Sequence, residues 1–144
     1  MQSSLLEKIE FEEIRPMFTL YGKDYGTAVI KIFEVIKKKE HPGYSGIKIQ
    51  ALAEFLLNIY QHAHKKDCTP SYSLTTFLGK KGWVARIHDS SPGFDHRKVN
   101  EERIHQTGGG VGSSYLKMFD HGYESEGKII NVKFIYKQRT PKTL

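Results

Sequence analysis

The chain of 144 residues has the length and composition of one compact domain. Hydrophobic residues make up 38% of it and aromatic residues 12%, which excludes a disordered tail or a fibrous repeat. Cys68 is its only cysteine, so an internal disulfide framework is excluded and a reducing compartment is indicated. Because no apolar run could cross a bilayer and no signal-peptide pattern opens the chain, we expect a soluble, cytoplasmic protein.

The net charge is +6 at neutral pH, which raises the question of a polyanionic ligand. The basic residues form short, separate clusters, and none alternates with aromatic side chains as a nucleic-acid stacking surface would. We interpret most of them as solvated surface and expect neither nucleic acid nor a membrane as the partner. The basic tail Lys137–Lys142 keeps nucleic-acid binding as an alternative.

The predicted elements begin with a short strand at Met17–Tyr21, where the preceding Pro16 suggests a sheet edge. Two amphipathic helices follow, one from Asp24 to about Glu40 and one from about Ser45 to His64. The next segments are two strands and a hairpin turn between them: Tyr72–Leu78, Gly79–Gly82 and Trp83–Asp89.

The second half of the chain starts with a polar loop, Asp95–Thr107, and a glycine run that opens a short helix ending near Asp120. Two strands close the chain, Gly122–Ser125 and Lys128–Lys137, and the second alternates apolar and polar residues. Helices come early and antiparallel strands later. This order predicts an α/β chain of the α+β two-layer sandwich type, with a mixed, mostly antiparallel sheet that helices cover on one face.

The first candidate site lies on the second predicted helix, where Glu54, Asn58 and His62 follow one another at intervals of one helical turn. Three polar side chains beside an apolar stripe are costly unless they bind something. An Asn oxygen is a suitable ligand for magnesium, and a Glu can polarise a water or a hydroxyl. The alternative is the solvent edge of an ordinary amphipathic helix.

The second candidate is Asp89, which ends the strand face that carries Trp83. A carboxylate at the end of an apolar face can accept a hydrogen bond from the amino group of adenine, whereas guanine presents an acceptor at that position. Gly93 would let the backbone approach a flat ring closely. The alternative is an ordinary Asp-Ser turn.

The third candidate is a glycine-rich run that could bind phosphate. Its residues are Thr107, Gly108, Gly109, Gly110, Val111 and Gly112. The glycines free backbone amides to surround an anion, and the helix that starts here turns its positive end toward it. The run matches neither the P-loop nor the Rossmann pattern. A flexible hinge is the alternative.

In their order and spacing, these three motifs resemble the N, G1 and G2 boxes of the GHKL ATPase superfamily, which includes gyrase, mismatch-repair ATPases and histidine kinases. The resemblance covers about residues 17–137 of a single domain spanning residues 1–144. It implies the Bergerat ATP-binding fold, with ATP and Mg²⁺ as cofactors. Ser91 departs from the motif, because it stands at the first glycine of the G1 box, where a Cβ narrows the adenine pocket.

The resemblance also implies a role for each residue. Glu54 corresponds to the general base, Asn58 to the magnesium ligand, and Asp89 to the residue that reads adenine. Nucleotide binding would further involve the helix and loop residues His62, Gly93, Thr107, Gly108, Gly109, Gly110, Val111 and Gly112.

The short chain and the short loop before the glycines look most like the stand-alone anti-sigma-factor and switch-protein serine kinases. Such proteins transfer the γ-phosphate of ATP to a serine or threonine of a small STAS-type antagonist, and they can also sequester a sigma factor. We therefore expect ATP or ADP and a small protein as partners, and a homodimer remains open. The rival hypothesis is a nucleotide-gated binding module without turnover. A zinc site from His62, His64 and Cys68 is disfavoured because no second ligand pair is evident.

Overall fold

The computed structural model describes residues 3–89 and 119–138. These residues form helices α1 (Ser3–Lys8), α2 (Tyr25–Ile36) and α3 (Pro42–Asn58), a π-helix (Ile59–Ala63), and strands β1 (Phe11–Tyr21), β2 (Ser71–Gly79), β3 (Gly82–Asp89), β4 (His121–Glu124) and β5 (Ile129–Ile135). The five strands make one sheet in the order β1-β2-β3-β5-β4. The predicted α+β architecture is confirmed. The predicted parallel component is absent from the described strands, all of which pair antiparallel.

Strand β1 forms one edge of the described sheet and is longer than the sequence predicts. It begins at Phe11, and Pro16 lies inside it rather than before it. The register with β2 shifts between Ile14 and Met17, so the ladder is irregular where Pro16 lacks a backbone N–H. An edge strand tolerates this interruption because, among the described residues, no strand pairs with its outer side.

The β2–β3 hairpin has a glycine at each end of its turn, as predicted, but the reason is close packing. A Cβ on Gly79 would lie 2.1 Å from the carbonyl oxygen of Ile9. A Cβ on Gly82 would lie 2.2 Å from the carbonyl oxygen of Phe134. Only glycine therefore allows the neighbouring backbone to approach the hairpin on both sides.

The main core lies between the sheet and helices α2 and α3. On β3 its residues alternate, so that Trp83, Ala85 and Ile87 are all fully buried. The facing residues of β5 are Ile130, Val132 and Phe134, and the Trp83 and Phe134 rings stack at 4.3 Å between centroids. This alternation is the one that the sequence predicts for both strands.

Helix α1, which the sequence analysis did not predict, packs on the opposite face of the sheet. Leu5 and Ile9 bury themselves against Val84, whose side chain points away from the Trp83 face because successive strand residues alternate. The expectation that helices cover only one face is thus corrected. It holds for α2 and α3 but not for α1.

A buried ion pair connects α3 and the loop before it to the end of β5. Lys48 of α3 lies 2.9 Å from a carboxylate oxygen of Glu40, and both side chains have no exposed surface. The Lys48 ammonium also donates to the carbonyl oxygen of Ile135 at 2.6 Å. Glu40 in turn accepts a hydrogen bond from the backbone N–H of Lys137 at 2.6 Å. These contacts hold the loop between α2 and α3 against the end of the sheet.

Candidate functional site

The candidate site begins where helix α3 ends. Asn58, the last residue of α3, is buried with only 1% of its surface exposed. The chain then continues as a π-helix, and the backbone N–H of His64 donates to the carbonyl oxygen of Ile59 at 2.9 Å. Such a turn contains one more residue than an α-helical turn, so it changes the direction of the side chains that follow.

His64 contacts Asp89, the last residue of β3, through its Nε2 atom and the Oδ2 atom of the carboxylate. The side chain of His64 is 1% exposed and that of Asp89 is fully buried. The backbone N–H of Asp89 donates to the carbonyl oxygen of Lys128 at 3.1 Å, which fixes the end of β3. The contact therefore joins the end of the helical layer to the end of a central strand.

Tyr72 closes the site on the β2 side, because it pairs directly with Asp89 in the sheet. Its ring meets the ring of His64 edge-on at 5.7 Å between centroids. Its hydroxyl donates to the carbonyl oxygen of Gly22 at 3.1 Å. Burial, with added effects of Tyr25, Asp24 and Asp89, raises the pKa of Tyr72, so the hydroxyl stays neutral and remains a donor.

Glu54 lies one helical turn before Asn58 on α3 and is half-buried. It is close enough to the first residue of α2 to affect its ionisation, because burial raises the pKa of Tyr25 and the charge of Glu54 raises it further. Glu54 and Asn58 thus share one side of α3, as predicted from their spacing.

Cys68 and Tyr60 lie beside the Gly22 turn, next to Tyr72. A Cβ on Gly22 would lie 2.9 Å from the Cys68 sulfur, and Lys23 lies over the Tyr60 ring at 5.7 Å from its centroid. Burial and the neighbouring Cys68 raise the pKa of Tyr60. Within residues 3–89 and 119–138, no group of three His, Cys, Asp or Glu side chains is arranged to hold a metal ion.

The structure describes three of the predicted site residues, Glu54, Asn58 and Asp89. Asp89 is in contact with His64, which follows the π-helix after α3. The side chain of His62 lies outside the described part, as do Ser91 and the loop 95–107. The other predicted residues that lie outside it are Gly93, Thr107, Gly108, Gly109, Gly110, Val111 and Gly112.

Sequence reasoning gave His64 no role beside Asp89. It weighed this residue only as a zinc ligand, together with His62 and Cys68. The only feature of the sequence that draws attention to His64 is that it is a second histidine, two residues after His62. Under α-helical spacing it lies on a different face from Asn58, so nothing in the sequence directs it to Asp89.

Comparisons with known proteins leave the function to be argued from these residues. No protein-family model matches the chain, and no curated protein matches it significantly. Of the helices in the described ranges, none combines the length and apolar character needed to span a membrane.

Proposed function

We propose that this chain is an ATP-binding domain of the GHKL type with the Bergerat fold. In this proposal it transfers the γ-phosphate of ATP to a serine or threonine of a small regulatory protein. The observation that carries the proposal is Asp89, a fully buried carboxylate at the end of an apolar strand face. It contacts the segment that directly follows the helix bearing Glu54 and Asn58.

Adenine recognition follows from the chemistry of a buried carboxylate. An ionised carboxylate only accepts hydrogen bonds, so it matches the amino group of adenine and opposes the carbonyl oxygen of guanine. Burial strengthens this selection, because an unmatched polar group in a dry pocket is costly. Asp89 contacts His64 through Oδ2, and since a carboxylate can accept several hydrogen bonds, it could also accept one from the adenine amino group.

Magnesium binding rests on Asn58. A buried carboxamide offers a hard oxygen ligand without adding a second negative charge beside the phosphates, which fits a metal held jointly by protein and nucleotide. A bound magnesium ion would supply charge neutralisation at the phosphate oxygens. The glycine run Gly108–Gly112 is expected from the resemblance to hold those phosphates with its backbone amides.

Glu54 is proposed as the general base. It is half-buried and lies one helical turn from Asn58, so it would be near the transferred group while open to an incoming hydroxyl. Its carboxylate would accept the proton that the serine or threonine hydroxyl loses on attack at the γ-phosphate. A small STAS-type antagonist or a sigma factor is the partner that the resemblance implies.

The proposal is tested by capturing the partner from the native source with and without magnesium and ATP. Single-turnover transfer from γ-labelled ATP to the captured protein is then measured. We expect saturable, magnesium-dependent ATP binding and label on a serine or threonine. Binding without transfer would replace the kinase with a nucleotide-gated binding module. Absence of saturable ATP binding would contradict the proposal as a whole.

A further inference from the structure

The contact between His64 and Asp89 is a feature that none of the three motifs predicts. Both side chains are buried, and they come from segments far apart in the chain. A carboxylate oxygen can only accept unless it is protonated, so the imidazole donates from Nε2–H. Hydrogen bonds to an ionised partner are among the stronger ones in proteins, and such a bond strongly restricts the rotation of the carboxylate.

His64 is itself held in place by its surroundings. Its backbone N–H is fixed by Ile59 in the π-helix, and its carbonyl oxygen accepts a hydrogen bond from the backbone N–H of Asp67 at 2.9 Å. Its ring rests against Tyr72, whose hydroxyl is anchored on Gly22. The imidazole therefore acts as a rigid donor and not as a mobile surface side chain.

We propose that His64 is a positioning residue that sets the preference for adenine by holding the Asp89 carboxylate through Oδ2, so that the carboxylate keeps the orientation in which it accepts from the amino group of the base. This inference rests on the proposed function, since it assigns the orientation of the group that reads the nucleotide. Selection between adenine and guanine depends on one oxygen atom being at the right place. A carboxylate that can rotate loses that selection before it loses all binding.

The matched variants are His64→Gln and His64→Asn. The amide nitrogen of Gln can occupy the position of Nε2 and still donate to Asp89, whereas the amide nitrogen of the shorter Asn corresponds to Nδ1 and cannot reach it. Both are polar and smaller than His, so they disturb the packing against Tyr72 similarly. The control is His41→Leu, which removes the imidazole that caps α3 by accepting from the Gly43 N–H at 2.9 Å.

The experiment measures the affinities of magnesium-ATP and magnesium-GTP by calorimetry, with the urea midpoint determined for each variant. We expect His64→Asn to weaken ATP binding by about tenfold to a hundredfold, the effect of losing one hydrogen bond to a charged group. GTP binding should change little, so the ATP-to-GTP affinity ratio falls. His64→Gln should keep most of the ratio, and His41→Leu should lower only the urea midpoint.

A double variant separates positioning from general destabilisation. In the Asp89→Asn background, His64→Asn should change the ratio little, because the group it positions is already altered. An unchanged ratio in His64→Asn, or tighter ATP binding, overturns the role of His64 while the proposed function stands. Failure of the unaltered protein to bind ATP overturns the proposed function, and this inference with it.

Discussion

The buried pair of Lys48 and Glu40 gives the clearest prediction about stability. Replacing Lys48 with Met keeps the aliphatic stem but leaves the Glu40 carboxylate without its ammonium, and it removes the donor to the Ile135 carbonyl. Burial lowers the pKa of Lys48 while Glu40 opposes that effect, so the ammonium depends on its partner. Loss of one member of a buried pair costs about 3–5 kcal/mol.

The assay is urea unfolding followed by circular dichroism, with slope and midpoint fitted for each variant. Glu40→Gln should cost less than Lys48→Met, because the amide oxygen still accepts from Lys48 and from the Lys137 N–H. The double variant should be more stable than the sum of the two losses implies, by roughly 1–3 kcal/mol. A stability excess of this size in the double variant would show that the two side chains act as a pair.

The control is Lys81→Met, which removes an exposed ammonium 3.3 Å from Glu10. That pair is open to water, with side-chain exposures of 63% and 47%, so its loss should cost less than about 1 kcal/mol. If Lys48→Met is no more harmful than Lys81→Met, the reasoning about the buried pair is refuted.

Three further predictions concern the catalytic step, the hairpin and the acid limb of stability. Glu54→Ala should lower the rate of single-turnover phosphotransfer by roughly two to four orders of magnitude and leave nucleotide affinity nearly intact. Asn58→Ala should weaken magnesium-dependent binding and transfer together. Transfer at full rate in Glu54→Ala would show that the general base is misassigned. Gly79→Ala should destabilise the fold by about 1–3 kcal/mol in urea, because its Cβ would meet the Ile9 carbonyl. Gly46→Ala should be neutral or stabilising, because its Cβ would contact nothing beyond the backbone of its own helix. Partial burial acts to raise the pKa of Asp120, but Lys8 and Lys133 outweigh it and lower the pKa below the ordinary 3.8. The stability that the ionised Asp120 contributes is therefore complete above the ordinary pKa and is lost as the pH falls through the lowered pKa. Near neutrality, Asp120→Asn should lower the free energy of unfolding by less than about 1 kcal/mol, because the site is exposed. At strongly acid pH, the variant and the unaltered protein should be equally stable.

Much of the sheet could be predicted because the side chains along its strands point alternately toward the core and away from it. Trp83, Ala85 and Ile87 point to one side, and Asp89 follows on the same side, so the burial of that carboxylate was foreseeable from the sequence. The hairpin was marked by its two glycines. Strand β1 was harder to predict, because Pro16 is a residue that normally ends or borders a strand.

The buried side of α3 could be predicted only in part. Leu52 and Leu56 belong to the predicted apolar stripe, but Lys48 is fully buried beside them. A lysine is assigned to the surface unless its partner is known, and that partner, Glu40, lies in the turn before the helix. Pairings of this kind depend on tertiary packing, so residue periodicity does not reveal them.

The candidate site was anticipated through its separate motifs and not through its contacts. Glu54, Asn58 and Asp89 were chosen for their chemistry and spacing, and Asp89 is linked to the segment that follows α3. The junction is made by His64, which reaches Asp89 because the helix becomes π-helical after Asn58. A change from α- to π-helical hydrogen bonding has no reliable sequence signature, so this part of the site needed the structure.

The central claim, that Asp89 reads the adenine of a bound nucleotide, is tested most directly by one calorimetric comparison. Magnesium-ATP and magnesium-GTP are titrated into the unaltered protein and into Asp89→Asn. The account predicts clear binding of ATP and much weaker binding of GTP to the unaltered protein. In Asp89→Asn, ATP binding should weaken by about 1–3 kcal/mol, because an amide nitrogen can replace the acceptor oxygen. Equal affinities for ATP and GTP in the unaltered protein would contradict the claim.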